Sequence, residues 1–250
     1  ARILGEMGDS KAVEPLIDVL KHDKNGSVRL YAARALGELG DSKATTHLIE
    51  SLREDRNVDV RVRAARALGR LGGAIVVEPL VEALNDENPQ VCITATDALI
   101  EIGDVATDAL IASLDHEKVN VRCDATRALG EIGNKKAVDK VINMLYDEWV
   151  NVRIYAVTSL GKLNDVKAVP ALIDVMKNRN ENELVRAGAA AALGVLRDQR
   201  ALLPLRELIM EAEELGELED TALKSFKKIM AANWQSIPGA TAQKKPVTTF

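Results

Sequence analysis

From Val28 onward the apolar residues fall at Val28, Ala32, Ala35, Leu36 and Leu39, which at about 100° per residue share one stripe of a helix. Ala33 and Gly37 sit on the flank of that stripe, where small residues let a neighbouring helix come close, while Leu30, Tyr31, Arg34 and Glu38 point away from it. The pattern predicts an amphipathic helix that stops at Gly40. It returns as Val60-Arg61 leading to Ala67-Leu68-Gly69, Val121-Arg122 to Ala128-Leu129-Gly130, Val152-Arg153 to Ser159-Leu160-Gly161, and Val185-Arg186 to Ala192-Leu193-Gly194. Val91-Cys92 leads to Ala98-Leu99-Ile100, a weaker copy, and the chain opens inside another copy at Ala1-Arg2-Ile3-Leu4-Gly5. The leucine before the glycine recurs in steps of 30 to 33 residues. A fixed period of that length means stacked repeats, each contacting its neighbours, rather than one deep core.

A second helix precedes each of these. Ala12-Val13-Glu14-Pro15-Leu16-Ile17 returns as Val76-Val77-Glu78-Pro79-Leu80-Val81 and as Ala168-Val169-Pro170-Ala171-Leu172-Ile173. Proline is tolerated there because the first amides of a helix have no partner inside it. Between repeats stand Gly8-Asp9, Gly40-Asp41, Gly103-Asp104 and Gly133-Asn134, with glycine ending one helix and Asp or Asn capping the next. The other turn carries Asp23, Asp55, Asp86, Asp115 and Asp147, each six or seven residues before the second motif position, which is usually Arg: Arg29, Arg61, Arg122 and Arg153. This spacing predicts an Asp–Arg ladder along the stacked turns. Cys92 breaks it, which predicts a lost rung and an Asp86 without a partner.

The string V-R-x-x-A-x-x-A-L-G-x-L-G followed by A-V-x-P-L-I-x-x-L resembles the HEAT-like repeats of the phycobilin lyase type, over residues 1 to about 210. The resemblance implies an all-α fold, a right-handed α-solenoid of antiparallel two-helix repeats, with the Val-Arg helices lining its concave face. It also implies two kinds of role, because the family includes subunits that attach bilins to antenna proteins and scaffolds with no chemistry. On this reading residues 1–8 are the second helix of a truncated first repeat, and 9–197 form six full repeats. Residues 198–235 form a degenerate capping repeat, with Leu218, Ala222, Ser225, Phe226 and Ile229 on its inner stripe, and 236–250 a flexible tail. The first residue is not Met and lies mid-motif, so the chain reads as part of a longer array.

Composition narrows the role. A net charge of −5 argues against general binding to nucleic acid or anionic membranes, which needs clustered basic charge. No apolar run reaches the roughly 18 residues of a membrane span. Cys92 and Cys123 stand on helices of adjacent repeats and point in different directions, so free thiols and a cytoplasmic location are expected. No metal or other cofactor is expected. His116-Glu117 invites comparison with the His-Glu pairs of deoxyhypusine hydroxylase, an iron enzyme of similar repeats, but that enzyme needs several facing pairs and here there is one.

What the repeat leaves free is the face of positions 2, 3, 6 and 10, counted from the motif Val. Position 2 is an apolar row, Leu30, Val62, Ile93, Cys123, Ile154 and Ala187; the other three carry an Arg/Glu band and two tyrosines. Arg34–Glu38 and Arg127–Glu131 are spaced as pairs on one helix, and Arg70 stands between Glu38 and Glu101, all consistent with a solvated ladder. Arg63 has no acid next to it in its row, where its neighbours are Tyr31 and Thr94, and Arg66 lies one turn on. The candidate partner-binding residues of the concave face are therefore Tyr31, Arg63, Arg66, Arg70, Asp124, Arg127 and Tyr155, with Trp149 at the turn edge, where other repeats carry Asn25, Asn57 and Asn88. The expectation is a non-enzymatic scaffold that grips an acidic protein or peptide. A bilin-handling subunit is the alternative, and a DNA-binding protein of the HEAT-like glycosylase kind a more distant one.

Overall fold

The computed structural model describes residues 10–210 and 216–235. The helix expected at 1–8 and the tail from 236 lie outside these. Where the period alone predicts one unbroken array, the chain divides into two compact units, Ala1–Ile132 and Gly133–Phe250.

The first unit holds α1 (Val13–His22), α2 (Gly26–Leu39), α3 (Thr45–Glu54), α4 (Val58–Leu71), α5 (Val77–Glu82), α6 (Pro89–Ile102), α7 (Thr107–Ser113) and α8 (Val119–Ile132). The second holds α9 (Val138–Asn143), α10 (Val150–Leu163), α11 (Val169–Lys177), α12 (Glu183–Leu196), α13 (Leu202–Met210) and α14 (Glu217–Gln235). Each motif helix from α2 to α12 has 14 residues, about 21 Å of rise. In the first unit α2 packs on α4, α4 on α6 and α6 on α8; in the second α10 packs on α12 and α12 on α14, with the shorter helices behind. Each unit is thus an all-α, solenoid-type stack of helix pairs, and the described residues contain no strand.

The stripe read from the sequence is the buried one. Ala32, Ala35 and Leu36 are closed to solvent, as are Val60, Ala64 and Leu68 one repeat on and Val152, Ala156 and Leu160 in the second unit. Leu218, Ala222, Ser225, Phe226 and Ile229 are buried as well, so α14 packs as a motif helix does although it has lost the motif. Gly40 ends α2 at φ 69°, and Asn164 and Arg197 adopt the same left-handed conformation after α10 and α12. The Asp or Asn that follows caps a short 3-10 turn that leads into the next helix, rather than that helix itself. Asp41 Oδ1 accepts from the Lys43 amide at 2.9 Å, and Asn134, Asp165 and Asp198 do the same in their turns.

Flank glycines set the spacing. A Cβ on Gly37 would lie 2.7 Å from that of Ala67, and one on Gly69 would lie 2.8 Å from that of Ala98. In α6 the equivalent position is Ile100, and α6 and α8 pack less closely than α2 with α4 or α4 with α6. The larger Ile100 side chain takes the place of the glycine that permits close approach at the other two interfaces.

Candidate binding face and the arginines that structure does not use

The arginines divide into those spent on the turns and those left over. Arg29 forks onto Asp55, Nε to Oδ2 and Nη2 to Oδ1 at 2.7 Å each, and its Nη1 donates to the Asp23 carbonyl at 2.9 Å. Arg61 repeats this with Asp86 at 2.9 Å and the Asp55 carbonyl at 3.0 Å. Arg153 bonds Glu181 and the Asp147 carbonyl, both at 2.7 Å. Each arginine therefore ties its own turn to the carboxylate of the following repeat. Burial pushes the Asp55 carboxyl upward, but the Arg29 fork and the Asn57 amide outweigh it and hold its pKa below the usual value.

This register overturns one expectation. Asp86 does not lack a partner, because Arg61 supplies it. What is missing is the following rung, on both sides. Cys92 stands for the arginine, and its Sγ donates to the Asp86 carbonyl at 3.3 Å. Opposite, the carboxylate slot holds His116, not Asp115. His116 Nδ1 accepts from the Lys118 amide at 3.0 Å, and Arg122 donates to the His116 carbonyl at 2.9 Å. His116 thus closes a turn. Among the described residues no group of three or more His, Cys, Asp or Glu side chains is placed to hold a metal ion.

On the exposed face of the motif helices the charges pair less than their spacing implies. Arg34 bonds Glu38 at 2.7 Å as expected. Arg127 pairs not with Glu131 but with Asp97 on α6, at 3.3 Å. Asp124, half-buried beside them, has its carboxyl pushed up by burial and by Asp97, with Arg127 opposing. Of the apolar row, Leu30, Val62, Cys123 and Ile154 are half-buried and Ala187 is buried; Ile93 is 46% exposed. The row serves mainly to pack helix on helix.

Arg63, Arg66 and Arg70 are different. They stand at the first, fourth and eighth positions of one stripe of α4, and among the described residues they make no hydrogen bond or ion pair. Arg70 is bonded to neither Glu38 nor Glu101. Together with Arg34, Gly37, Glu38 and Ala67 they line a depression of about 270 Å³ between α2 and α4. Tyr31, 44% exposed on α2, is outside its wall. The depression was the feature hidden from the sequence: its floor exists because Gly37 lets Ala67 approach.

Trp149 and Tyr155 belong to the second unit. Trp149 is 53% exposed at the N-cap of α10. Its side chain caps nothing, whereas Asn25, Asn57 and Asn88 each accept an amide hydrogen at the same position. Tyr155 is exposed on α10. A larger cavity of about 440 Å³ lies beside α11 to α14, but its charges are occupied. There Lys177 pairs with Glu207 at 3.1 Å, and Arg186 donates to the Met176 carbonyl at 2.9 Å. No described helix is long and apolar enough to cross a membrane.

Comparison with protein families places this arrangement. The model described as HEAT repeats matches five overlapping stretches: residues 1–69, 45–119, 77–151, 107–180 and 141–227. The chain belongs to the HEAT-repeat family. No curated protein sequence matches this HEAT-repeat chain. Among solved structures it is similar to Escherichia coli YibA, at 23% identity and a TM-score of 0.53, over 90% of this chain and 85% of that one. It is also similar to human deoxyhypusine hydroxylase, at 21% identity and a TM-score of 0.46, over 92% and 88% of the two chains. The complex of CpcE and CpcF of phycocyanin lyase from Nostoc sp. matches at 23% identity and a TM-score of 0.46, over 87% and 94%. At these identities the likeness concerns the fold.

Proposed function

We propose that this HEAT-repeat protein is a non-enzymatic scaffold that binds an acidic segment of another protein on the exposed face of its motif helices. The observation that carries the reading is the set of three guanidinium groups, Arg63, Arg66 and Arg70, around one depression with no acid assigned to them. The motif arginines Arg29, Arg61 and Arg153 are bonded to carboxylates and carbonyls of the turns, whereas Arg63, Arg66 and Arg70 are left to a partner. A guanidinium pairs bidentately with a carboxylate and stacks on aromatic rings, and arginine is enriched among the residues that dominate interfaces. Tyr31 adds an exposed ring on the neighbouring helix, with Asp124 and Arg127 further along the face. In the second unit Tyr155 and Trp149 are the proposed contacts. Trp149 occupies a position where asparagine would cap a helix, a loss of about 1 kcal/mol that a contact with a partner would offset.

The test is capture of a partner by the full chain carrying a photo-crosslinker at Tyr31. The crosslinked peptide is expected to come from an acidic segment. Arg63→Ala should weaken the captured complex roughly thirtyfold or more, the usual cost of removing an anchor. Arg127→Ala, already paired with Asp97, should do much less. Equal binding by both variants and the parent would remove this face from the reading. Covalent uptake of a tetrapyrrole, visible by absorbance, would replace the scaffold with a bilin-handling subunit.

A further inference from the structure

We infer that the depression between α2 and α4 is a phosphoryl-group site, and that the segment it takes is a phosphorylated peptide. The inference rests on the reading of this face as a binding surface and goes further, to the chemistry of the group that seats there.

Charge density is the first argument. Arg63, Arg66 and Arg70 project from about 10 Å of one helix into a space of about 270 Å³. The fourth arginine of the wall, Arg34, is answered by Glu38 at 2.7 Å, and the other three are unanswered. One carboxylate brings a single charge and accepts one fork. A phosphate monoester brings about −1.5 to −2 charges and three acceptor oxygens, enough for forks from two or three arginines at once. Arginine clusters of this kind are a recurrent mode of phosphopeptide recognition.

The surroundings decide the source of the phosphate. Glu38 stands on one side of the cluster, and Asp97 and Glu101 stand on the next helix on the other. Glu101 leans towards α4, its Oε2 3.4 Å from where a Cβ on Gly69 would be, yet it forms no ion pair with the arginines. The unanswered positive charge is therefore an island on α4, flanked by the Arg34–Glu38 and Arg127–Asp97 pairs, in which the charges already cancel, and by Glu101. A nucleic acid or an anionic membrane presents a continuous run of phosphates and needs a continuous basic track. An island suits one compact dianion on an otherwise ordinary chain.

The experiment titrates the full chain with three versions of one short peptide, bearing phosphoserine, glutamate or unmodified serine at its centre, by calorimetry at 50 and 150 mM salt. The phosphoserine peptide should bind at least tenfold tighter than the glutamate peptide. Its affinity should rise through about pH 6, where the second phosphate proton leaves, while that of the glutamate peptide should not. Arg63→Ala/Arg66→Ala/Arg70→Ala should abolish binding, and Arg66→Lys, which keeps the charge and loses the fork, should weaken it severalfold. Phenyl phosphate should displace the phosphopeptide. Equal affinity for phosphoserine and glutamate would overturn the phosphoryl assignment while leaving the acidic-segment reading in place. No binding of any peptide at millimolar concentration would overturn it too, as would tighter binding of an anionic vesicle or a duplex oligonucleotide than of the phosphopeptide.

Discussion

Single residues in this protein are held against their ordinary chemistry in opposite senses. Asp124 on α8 is pushed up by burial and by Asp97, and Arg127 offsets only part of this. A carboxyl whose pKa is higher folded than unfolded stabilises nothing at neutral pH. It favours the fold below the ordinary value of 3.8, and that advantage is lost as pH rises through the folded value. Asp124→Asn should therefore raise the melting temperature at pH 7 and leave it unchanged near pH 3, as calorimetry at the two pH values would read. Asp55 runs the other way: its pKa is depressed, so its contribution is present above 3.8 and lost as pH falls through the lower folded value. The Arg63 cluster could be picked out from the sequence because Arg63 has Tyr31 and Thr94, not acids, as its row neighbours and Arg66 one turn on. Its depression could not, because that needs the separation of two helices. Arg127 shows the same limit: Glu131 is four residues away in sequence, yet Asp97 on another helix takes the bond.

At the scale of elements, most of the fold was legible because one stripe, repeated, can be buried in few ways. The turns were harder. An aspartate six residues before an arginine and one about 26 after it satisfy the sequence equally, and only stacking shows that the carboxylate comes from the later one. The weak junction follows from that register. Between α6 and α8 the glycine is Ile100, the arginine is Cys92 and the carboxylate is His116, so the two helices lose close packing and their fork together. Cys92→Arg alone should give little, since it would face a histidine and leave Asp86 where it is, on Arg61. Cys92→Arg with His116→Asp should restore the rung. The pair should exceed the sum of the single changes by about 1 kcal/mol or more in urea unfolding, given the charge-assisted, half-buried forks elsewhere. Additive effects would mean that the two positions do not meet.

The whole molecule is a sum of neighbours, since each motif helix packs on the ones before and after it within its unit. Leu129 is fully buried in α8. Leu129→Ala should cost about 2–5 kcal/mol, and hydrogen exchange should rise first in α6, α7 and α8; a uniform rise from end to end would contradict a nearest-neighbour array. The division at Ile132 was not legible, because the Leu-Gly period passes from Leu129 to Leu160 without a break. The forward reach of the turn arginines has a consequence for descent. Because each turn arginine reaches the carboxylate of the next repeat, removing one copy joins an arginine to a new carboxylate slot. Excising the second repeat would bring Arg29 opposite Asp86, a like-for-like exchange. Excising the third would bring Arg61 opposite His116 and strand a buried cation. Losing the second copy alone thus keeps every fork, whereas the third can leave without stranding Arg61 only if the fourth goes with it, which would set Arg61 opposite Asp147.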